Sequence, residues 1–374
     1  MGPRGKRVKV LQIGNYPPPM CGWAIQTVLV TEELRRRGHV CDVLKINENR
    51  RVKSAEYVDV QNGFDYLYKV ACRALSGYRI NVHVNGQSKK GYVLALTAMA
   101  VARLSFCPAL LTFHGGLSQR YFPRHDSARL YWAFRILFSL SNAIACDSDE
   151  IKRAIEDYGV HSERVAAVAT FSSQYLDFET GRLSEEAEDF LRRHDPVFFS
   201  YVSFRPEYRL EILRHGMAKF RQTYPRAGFI WLGFPDREMP QAQEFVGNWP
   251  GDERQSLLLM GNLSHADFLT LMSRCTVCLR TPACDGVSAS VKEALALGVP
   301  VVASANGRRP SGVITYEEFD AADMCAKLVF AVENRDRIRA ALPPEPAEDN
   351  VALMADWLAG EKKTAAHPEA VEAR

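Results

Sequence analysis

The sequence predicts an α/β protein built from two doubly wound domains, each around a mostly parallel sheet. Three observations indicate this: the chain of 374 residues is long for one domain, short β-branched runs alternate with helical patterns, and the alternation stops in a charged stretch and restarts after Pro196. Strand–helix–strand connections are right-handed, so successive units build a parallel sheet.

The first half begins with a strand at 8–13 and a helix at 25–37. Arg35, Arg36 and Arg37 in the last helical turn and Gly38 immediately after it are typical of a helix C-terminus. The same patterns predict further strands at 40–44, 80–84, 109–113, 143–146 and 165–168, and helices at 91–105, 127–139 and 150–158.

The second half repeats this alternation, with strands at 197–203, 228–234, 256–260, 276–280 and 299–304 and helices at 209–224, 265–273 and 287–297. The carboxyl ends of the two sheets are expected to face a central cleft, where such folds bind ligands. The predicted division is an N-terminal domain at 1–195, a C-terminal domain at 196–345, a helix at 346–360 that crosses back to the N-terminal domain, and a tail without stable structure at 361–374.

Composition narrows the range of partners. Lys and Arg number 47 against 44 Asp and Glu, so no nucleic-acid partner is expected. The 9 cysteines are scattered, which is typical of reduced thiols and favours a cytoplasmic protein. No apolar run reaches the roughly 20 residues of a bilayer span. A peripheral contact with the inner face of a membrane stays open; Arg35–Arg37 are one candidate, although a role at the helix end explains them better.

The strongest motif runs from Asp285 to Ser304, with a second acid at Glu293 and the continuation Gly298-Val-Pro. It resembles the two-acid signature of family 4 retaining glycosyltransferases, which have two Rossmann-like domains in the arrangement called GT-B. Most members have Glu where this chain has Asp285. The alternative is an ordinary strand–helix unit with a capping Asp and a solvated Glu.

The chemistry of a nucleotide sugar fits this motif. A helix that opens at Gly286, Val287 and Ser288 offers free N–H groups and the positive end of its dipole to a diphosphate. Glu293, about two turns into the helix, is expected to accept hydrogen bonds from the ribose hydroxyls, and Asp285 to face the sugar.

Other residues match the family more loosely. Gly22 follows a proline-rich loop where the backbone approaches donor or acceptor, and His114, at a strand end before two glycines, matches the histidine beside the reacting sugar. Arg205 and Arg209 resemble the basic pair that stabilises the departing phosphate, with Arg205 shifted by one position. Backbone contacts to the base are expected near 261–263, which places Asn262 and Leu263 in the donor site.

The resemblance implies a hexosyltransferase-like enzyme that moves a sugar from a nucleotide diphosphate sugar to an acceptor hydroxyl with retention, and with neither metal nor cofactor. The acceptor would be a glycan, a lipid-linked molecule or a small molecule, and bacterial surface polysaccharide or glycoconjugate assembly is the implied setting. Two alternatives stay open: a sugar-nucleotide epimerase of the same architecture, and a nucleotide-sugar-binding protein without catalysis. Asp147-Ser-Asp149 and Cys275-Thr-Val-Cys278 resemble metal motifs, but their predicted positions favour helix capping and strand packing.

Overall fold

The computed structural model describes residues 7–284, 288–342 and 349–361. The chain forms two compact units. Of the described residues, the first unit contains those up to Pro18, Trp23–Ser172 and those from Asp349, and the second contains Pro19–Gly22 and those between Ser173 and Leu342. The predicted tail lies outside the described residues from 362 onward, as does the segment 343–348.

The first unit has a six-stranded parallel sheet in the order β2-β1-β3-β4-β5-β6. Its strands are β1 Lys9–Gly14, β2 Val40–Lys45, β3 Arg79–Asn85, β4 Ala109–His114, β5 Ala143–Cys146 and β6 Val165–Ala167. The order reverses between β1 and β3, so the loops after these strands leave in opposite directions. Ligands bind at such a point in open α/β sheets.

Two layers of helices cover this sheet. One apolar core lies under α2 Gly63–Leu75, α3 Lys89–Leu104, α4 Ala128–Leu140 and α5 Asp149–Glu156. A second core lies under α1 Gly22–Arg36 and the C-terminal helix α14 Asn350–Ala359. In that core the buried side chains of Met354 and Leu358 pack with Val10 and Leu34, so helix α14 is part of the first unit.

The second unit also has a six-stranded parallel sheet, in the order β12-β11-β10-β7-β8-β9. Its strands are β7 Val197–Tyr201, β8 Gly228–Leu232, β9 Leu257–Gly261, β10 Val277–Arg280, β11 Val301–Ser304 and β12 Val313–Tyr316. The helices are α6 Glu185–Arg193, α7 Leu210–Thr223, α8 Met239–Gly247, α9 Gly251–Gln255, α10 His265–Arg274, α11 Ala289–Ala296, α12 Ala321–Glu333 and α13 Arg335–Ala340. The strand order reverses between β7 and β10.

The predicted fold class is confirmed, but helices α2, α6, α8, α9, α12 and α13 and strand β12 were not predicted. Helix α2 was not predicted; apolar residues lie on its exposed side as well as on its buried side. The segment before Pro196, read as a charged linker, contains α6, whose Ala187 and Phe190 pack in the core of the second unit. That unit therefore begins at Ser173, ahead of the boundary at 195/196 that the sequence suggested.

None of the described helices is both long enough and apolar enough to cross a bilayer.

Candidate functional site

A buried arginine stands at the point where the strand order of the second sheet reverses. Arg280 is the last residue of β10, and its Nη1 donates a hydrogen bond to the Tyr201 carbonyl oxygen at the end of β7, at 3.2 Å. Its guanidinium also lies over the rings of Tyr201 and Tyr208, at 5.4 and 5.3 Å from the centroids. A guanidinium held at this edge is suited to phosphate binding. Arg280 was not among the predicted site residues.

The predicted basic pair flanks a short turn after β7. Arg205 is exposed and precedes the 3-10 turn Pro206–Tyr208. Arg209 follows it in a left-handed conformation, with φ of 48°. The Arg209 Nε donates to Glu318 Oε1 at 2.9 Å, and its guanidinium lies 4.5 Å from the centroid of Phe319. A non-glycine residue in this region of φ is strained, which is frequent in functional loops.

The buried carboxylate of the second unit is Glu293, on α11. Its side chain is 2% exposed, and its Oε1 lies 2.8 Å from Nε2 of His265, the first residue of α10. The ring of Tyr175 lies edge-on to His265, with 6.2 Å between centroids. Burial of a carboxylate is unfavourable unless it is paired, so His265 is what allows Glu293 to remain inside the unit. The sequence predicted Glu293 but not His265.

Gly22 lies against the start of α11. A Cβ atom built on Gly22 would be 3.0 Å from the Cβ of Ala289, so no larger residue fits without movement. The Gly22 carbonyl oxygen accepts a hydrogen bond of 3.0 Å from the Tyr175 hydroxyl, and the nearby Met20 N–H donates to Asn262 Oδ1 at 3.4 Å. The structure therefore brings together Gly22, Asn262 and the helix that carries Glu293.

The remaining predicted donor residues are only partly described. Ser288 is the N-cap position of α11, and its hydroxyl lies 3.0 Å from that of Ser290. Leu263 is half-buried and packs on the core of the second unit. Asp285, Gly286 and Val287 lie outside the described residues.

In the first unit, His114 belongs to a chain of buried polar groups at the carboxyl ends of the strands. The chain begins with Gln12 Oε1, 3.2 Å from His83 Nε2, and continues with His83 Nδ1, 3.0 Å from His114 Nε2. His114 Nδ1 faces Asp147 Oδ1 at 3.4 Å, and the same oxygen accepts a hydrogen bond of 2.6 Å from Thr170. The Nε2 of His114 is therefore paired with His83, whereas its buried Nδ1 faces the Asp147 carboxylate without a well-formed hydrogen bond.

Burial and neighbouring charges set the protonation of this chain. Burial lowers the pKa of His83 well below its ordinary value, and His114 beside it lowers it further. Burial alone would raise the pKa of Asp147, but His114 and the hydrogen bonds from Thr170 and the Gly115 N–H outweigh it and lower that pKa. At neutral pH, His83 is therefore neutral and Asp147 is a carboxylate.

A neutral His83 has two ways to place its proton. Its Nε2 lies 3.2 Å from both Gln12 Oε1 and Asn81 Nδ2. It either donates to Gln12 and accepts from His114 through Nδ1, or accepts from Asn81 and donates to His114. The two tautomers of His83 therefore differ in which amide is paired at Nε2 and in the direction of the hydrogen bond to His114. Trp23, stacked on the His114 ring at 4.3 Å, fixes the plane of that ring.

The sequence located His114 but not its partners. His83 and Asn81 lie inside a strand, where they read as ordinary buried polar residues, and Asp147 was set aside with a metal-like motif. The structure confirms the capping reading of that motif, since Ser148 caps α5 by accepting from the Ile151 N–H. In the described part of the chain, no three His, Cys, Asp or Glu side chains are grouped to hold a metal ion.

No protein-family model matches the chain, and no curated protein sequence matches it. Solved structures do match over nearly its whole length. HepE from Anabaena, in complex with UDP, has a TM-score of 0.60 and 15% identity, covering 94% of this chain and 95% of its own. The chain has the two-domain GT-B fold.

Two further GT-B structures are as similar. A glycosyltransferase from Rickettsia africae has a TM-score of 0.62 and 13% identity, covering 96% of this chain and 95% of its own. A UDP-GlcNAc 2-epimerase from Methanocaldococcus jannaschii has a TM-score of 0.56 and 12% identity, covering 87% of this chain and 93% of its own. The GT-B architecture is thus shared with both classes of enzyme.

Proposed function

We propose that the chain binds a nucleotide diphosphate sugar in its second unit and transfers the sugar to an acceptor hydroxyl, as a retaining glycosyltransferase. The observation that carries this is the buried carboxylate of Glu293, held by His265 in α11. The helix that carries Glu293 is approached closely at its first residue by Gly22, and glycine is common where backbone approaches a ligand. Glu293 would accept hydrogen bonds from the two ribose hydroxyls.

The diphosphate would lie where positive charge and free N–H groups meet. The start of α11, approached by Gly22, supplies N–H groups and the positive end of the helix dipole. Arg280 at the end of β10 and Arg209 at the start of α7 supply guanidinium groups on the loops that flank the reversal of strand order. Asp285 would contact the sugar.

The reaction itself would need no resident cofactor. The bond from the anomeric carbon to the β-phosphate oxygen breaks, and the electron pair stays on the phosphate. The acceptor oxygen bonds to the anomeric carbon from the same face, and its proton passes to the departing phosphate. Arg205 and Arg209 would stabilise the charge that develops there, since such preorganised donors contribute most in the transition state.

The fold comparison supports the substrate class. HepE was solved with UDP-glucose as well as with UDP, and the Rickettsia protein is described as a glycosyltransferase. These proteins support the expectation that the donor is a nucleotide sugar. The expectation of retention comes from the sequence resemblance.

A second candidate is a sugar-nucleotide 2-epimerase, and one feature of the first unit favours it. An epimerase must remove and return a proton, and His114, placed between His83 and the carboxylate of Asp147, is a side chain of the type that does so. The UDP-GlcNAc 2-epimerase among the similar structures shares the fold.

One set of measurements separates these functions. Thermal shift against UDP-, GDP- and ADP-sugars identifies the donor, and that donor is then incubated in D₂O with and without acceptor glycans. Acceptor-dependent release of the nucleoside diphosphate, with the product's anomeric configuration read by NMR, supports transfer with retention. Deuterium at C2 of the sugar without an acceptor supports epimerisation instead. Binding without either reaction supports a non-catalytic binding protein, and no binding of any nucleotide sugar overturns the proposal.

A further inference from the structure

One face of the first unit is unusually apolar for a surface. Helices α2, α3 and α4 lie side by side over the sheet, with α3 packed between the other two. On these helices, and at Phe106 just after α3, large hydrophobic side chains are more than half exposed: Phe64, Tyr68, Leu75, Leu104, Phe106 and Trp132. Phe106 alone is 97% exposed. We call this surface, formed by α2–α4 and Phe106, the helical face.

The helical face is also strongly positive. Helices α3 and α4 contain no acidic residue, and α2 contains only Asp65, which is paired with Lys69 at 2.9 Å. The three helices together contain seven basic residues, whereas the whole chain is nearly balanced at 47 basic to 44 acidic. Among the residues that the structure describes, four exposed basic side chains of this face form no ion pair: Lys89, Lys90, Arg103 and Arg129.

The exposed apolar side chains and the positive charge together indicate what kind of partner the helical face binds. Exposed aliphatic and aromatic side chains gain by leaving water, and neighbouring helices that present several of them to solvent are a candidate interaction surface. Basic side chains among them complement an anionic lipid surface, to which each contributes about 1 kcal/mol near the headgroups. A second copy of the same face would oppose this positive charge with its own, so self-association is disfavoured.

We propose that the helical face docks on an anionic membrane surface, with Phe106, Leu104 and Trp132 inserted at the level of the headgroups. The arginines that the sequence suggested for such a contact have other roles. Arg35 donates two hydrogen bonds to the Cys41 carbonyl oxygen, and Arg36 pairs with Glu33 at 2.7 Å, both on the opposite side of the sheet. The proposal is independent of the reaction that the protein catalyses.

The test uses the full chain and vesicles of defined composition. The protein is expected to co-sediment with vesicles that contain phosphatidylglycerol. Its affinity for these vesicles should fall as the salt concentration is raised, and its affinity for vesicles of phosphatidylcholine alone should be at least tenfold lower. Brominated lipid is expected to quench tryptophan fluorescence, and Trp132→Phe to remove that quenching, because Trp132 is the tryptophan of the helical face.

Matched variants separate specific docking from net charge. The double variant Lys89→Glu with Lys90→Glu is expected to weaken vesicle binding at least tenfold. Both positions lie in the first turn of α3, where acidic residues interact favourably with the helix dipole, so the helix should remain stable. Lys219→Glu with Arg226→Glu makes the same charge change on the exposed surface of the second unit and should leave binding as in wild type. Phe106→Asn, which suits the left-handed backbone at φ of 54°, should also weaken binding without unfolding.

Three results would overturn the proposal. The first is wild-type protein that binds no anionic vesicle at low salt. The second is equal loss of binding in the two charge-reversed proteins. The third is a dimer that the Phe106 or Lys89 substitutions dissociate, which would make this face a protein interface. Nucleotide titration of the same variants reports on the second unit separately, so failure of docking and failure of the proposed enzyme function are distinguished.

Discussion

His265 and Glu293 are joined by a hydrogen bond of 2.8 Å between Nε2 and Oε1, and the carboxylate is almost completely buried. His265 is the first residue of α10, and Glu293 lies within α11. These two helices are in contact. This pairing fixes the direction of the Glu293 side chain before any ligand arrives, so a diol would meet an acceptor that is already oriented.

Glu293→Gln is expected to weaken nucleoside diphosphate binding tenfold or more. The amide loses charge-assisted hydrogen bonds, which are worth about 1.5 to 3 kcal/mol each. Isothermal titration calorimetry measures the change. Glu317→Gln, at an exposed position of the same unit, is the matched control and should bind as wild type. A folded Glu293→Gln protein with unchanged affinity would remove Glu293 from the donor site.

Gly22→Ala is expected to reduce both nucleotide affinity and turnover, because its Cβ would press on that of Ala289 at the start of α11. Removing the second methyl group should restore the fit. The double variant Gly22→Ala with Ala289→Gly is therefore expected to recover most of the lost affinity, while Ala289→Gly alone has little effect. Failure of the double variant to recover would show that the close approach at Gly22 is not what the site requires.

Arg209→Gly separates function from stability. Glycine adopts φ of 48° without strain, so the melting temperature should change little even though the hydrogen bond to Glu318 is lost. Turnover is expected to fall at least tenfold, since a charge-assisted contact to the leaving phosphate is removed. Arg221→Ala, near the end of the same helix, serves as control. Steady-state kinetics with turnover unchanged in Arg209→Gly would assign Arg209 to loop structure alone.

His83 should make the stability of the protein sensitive to mild acid. Between the lowered pKa of folded His83 and about 6.5, the ordinary value, the unfolded chain binds a proton that the folded chain does not. The contribution of His83 to the free energy of unfolding is therefore complete above about pH 6.5. It decreases as the pH falls below that value, by up to about 1.4 kcal/mol per pH unit.

Melting temperatures measured on both sides of that pH check this expectation. His83→Gln should flatten the dependence on pH, whereas His215→Gln, at an exposed position on α7, should leave it as in wild type. Equal slopes in His83→Gln and wild type would show that His83 does not carry this proton linkage.

The sequence by itself determined the fold class, because the period of each apolar pattern reports local backbone geometry and the order of strands and helices limits the topology. It also predicted Glu293 as a donor-site residue, through the family resemblance of the local motif from Asp285 to Ser304, and that role stays a prediction. It located His114 as one polar residue at a strand end. Helix α2 was not predicted, although its buried residues Tyr66, Val70 and Ala74 recur at helical spacing.

Only the tertiary structure decided what these residues touch. Gln12, His83, His114 and Asp147 come from four strand regions that are distant in the chain, and they meet because the carboxyl ends of parallel strands share one edge. His265 reaches Glu293, and Gly22 reaches Ala289, through packing of segments far apart in sequence. Local periodicity contains no information on such contacts, because they depend on strand order and side-chain packing across the whole unit.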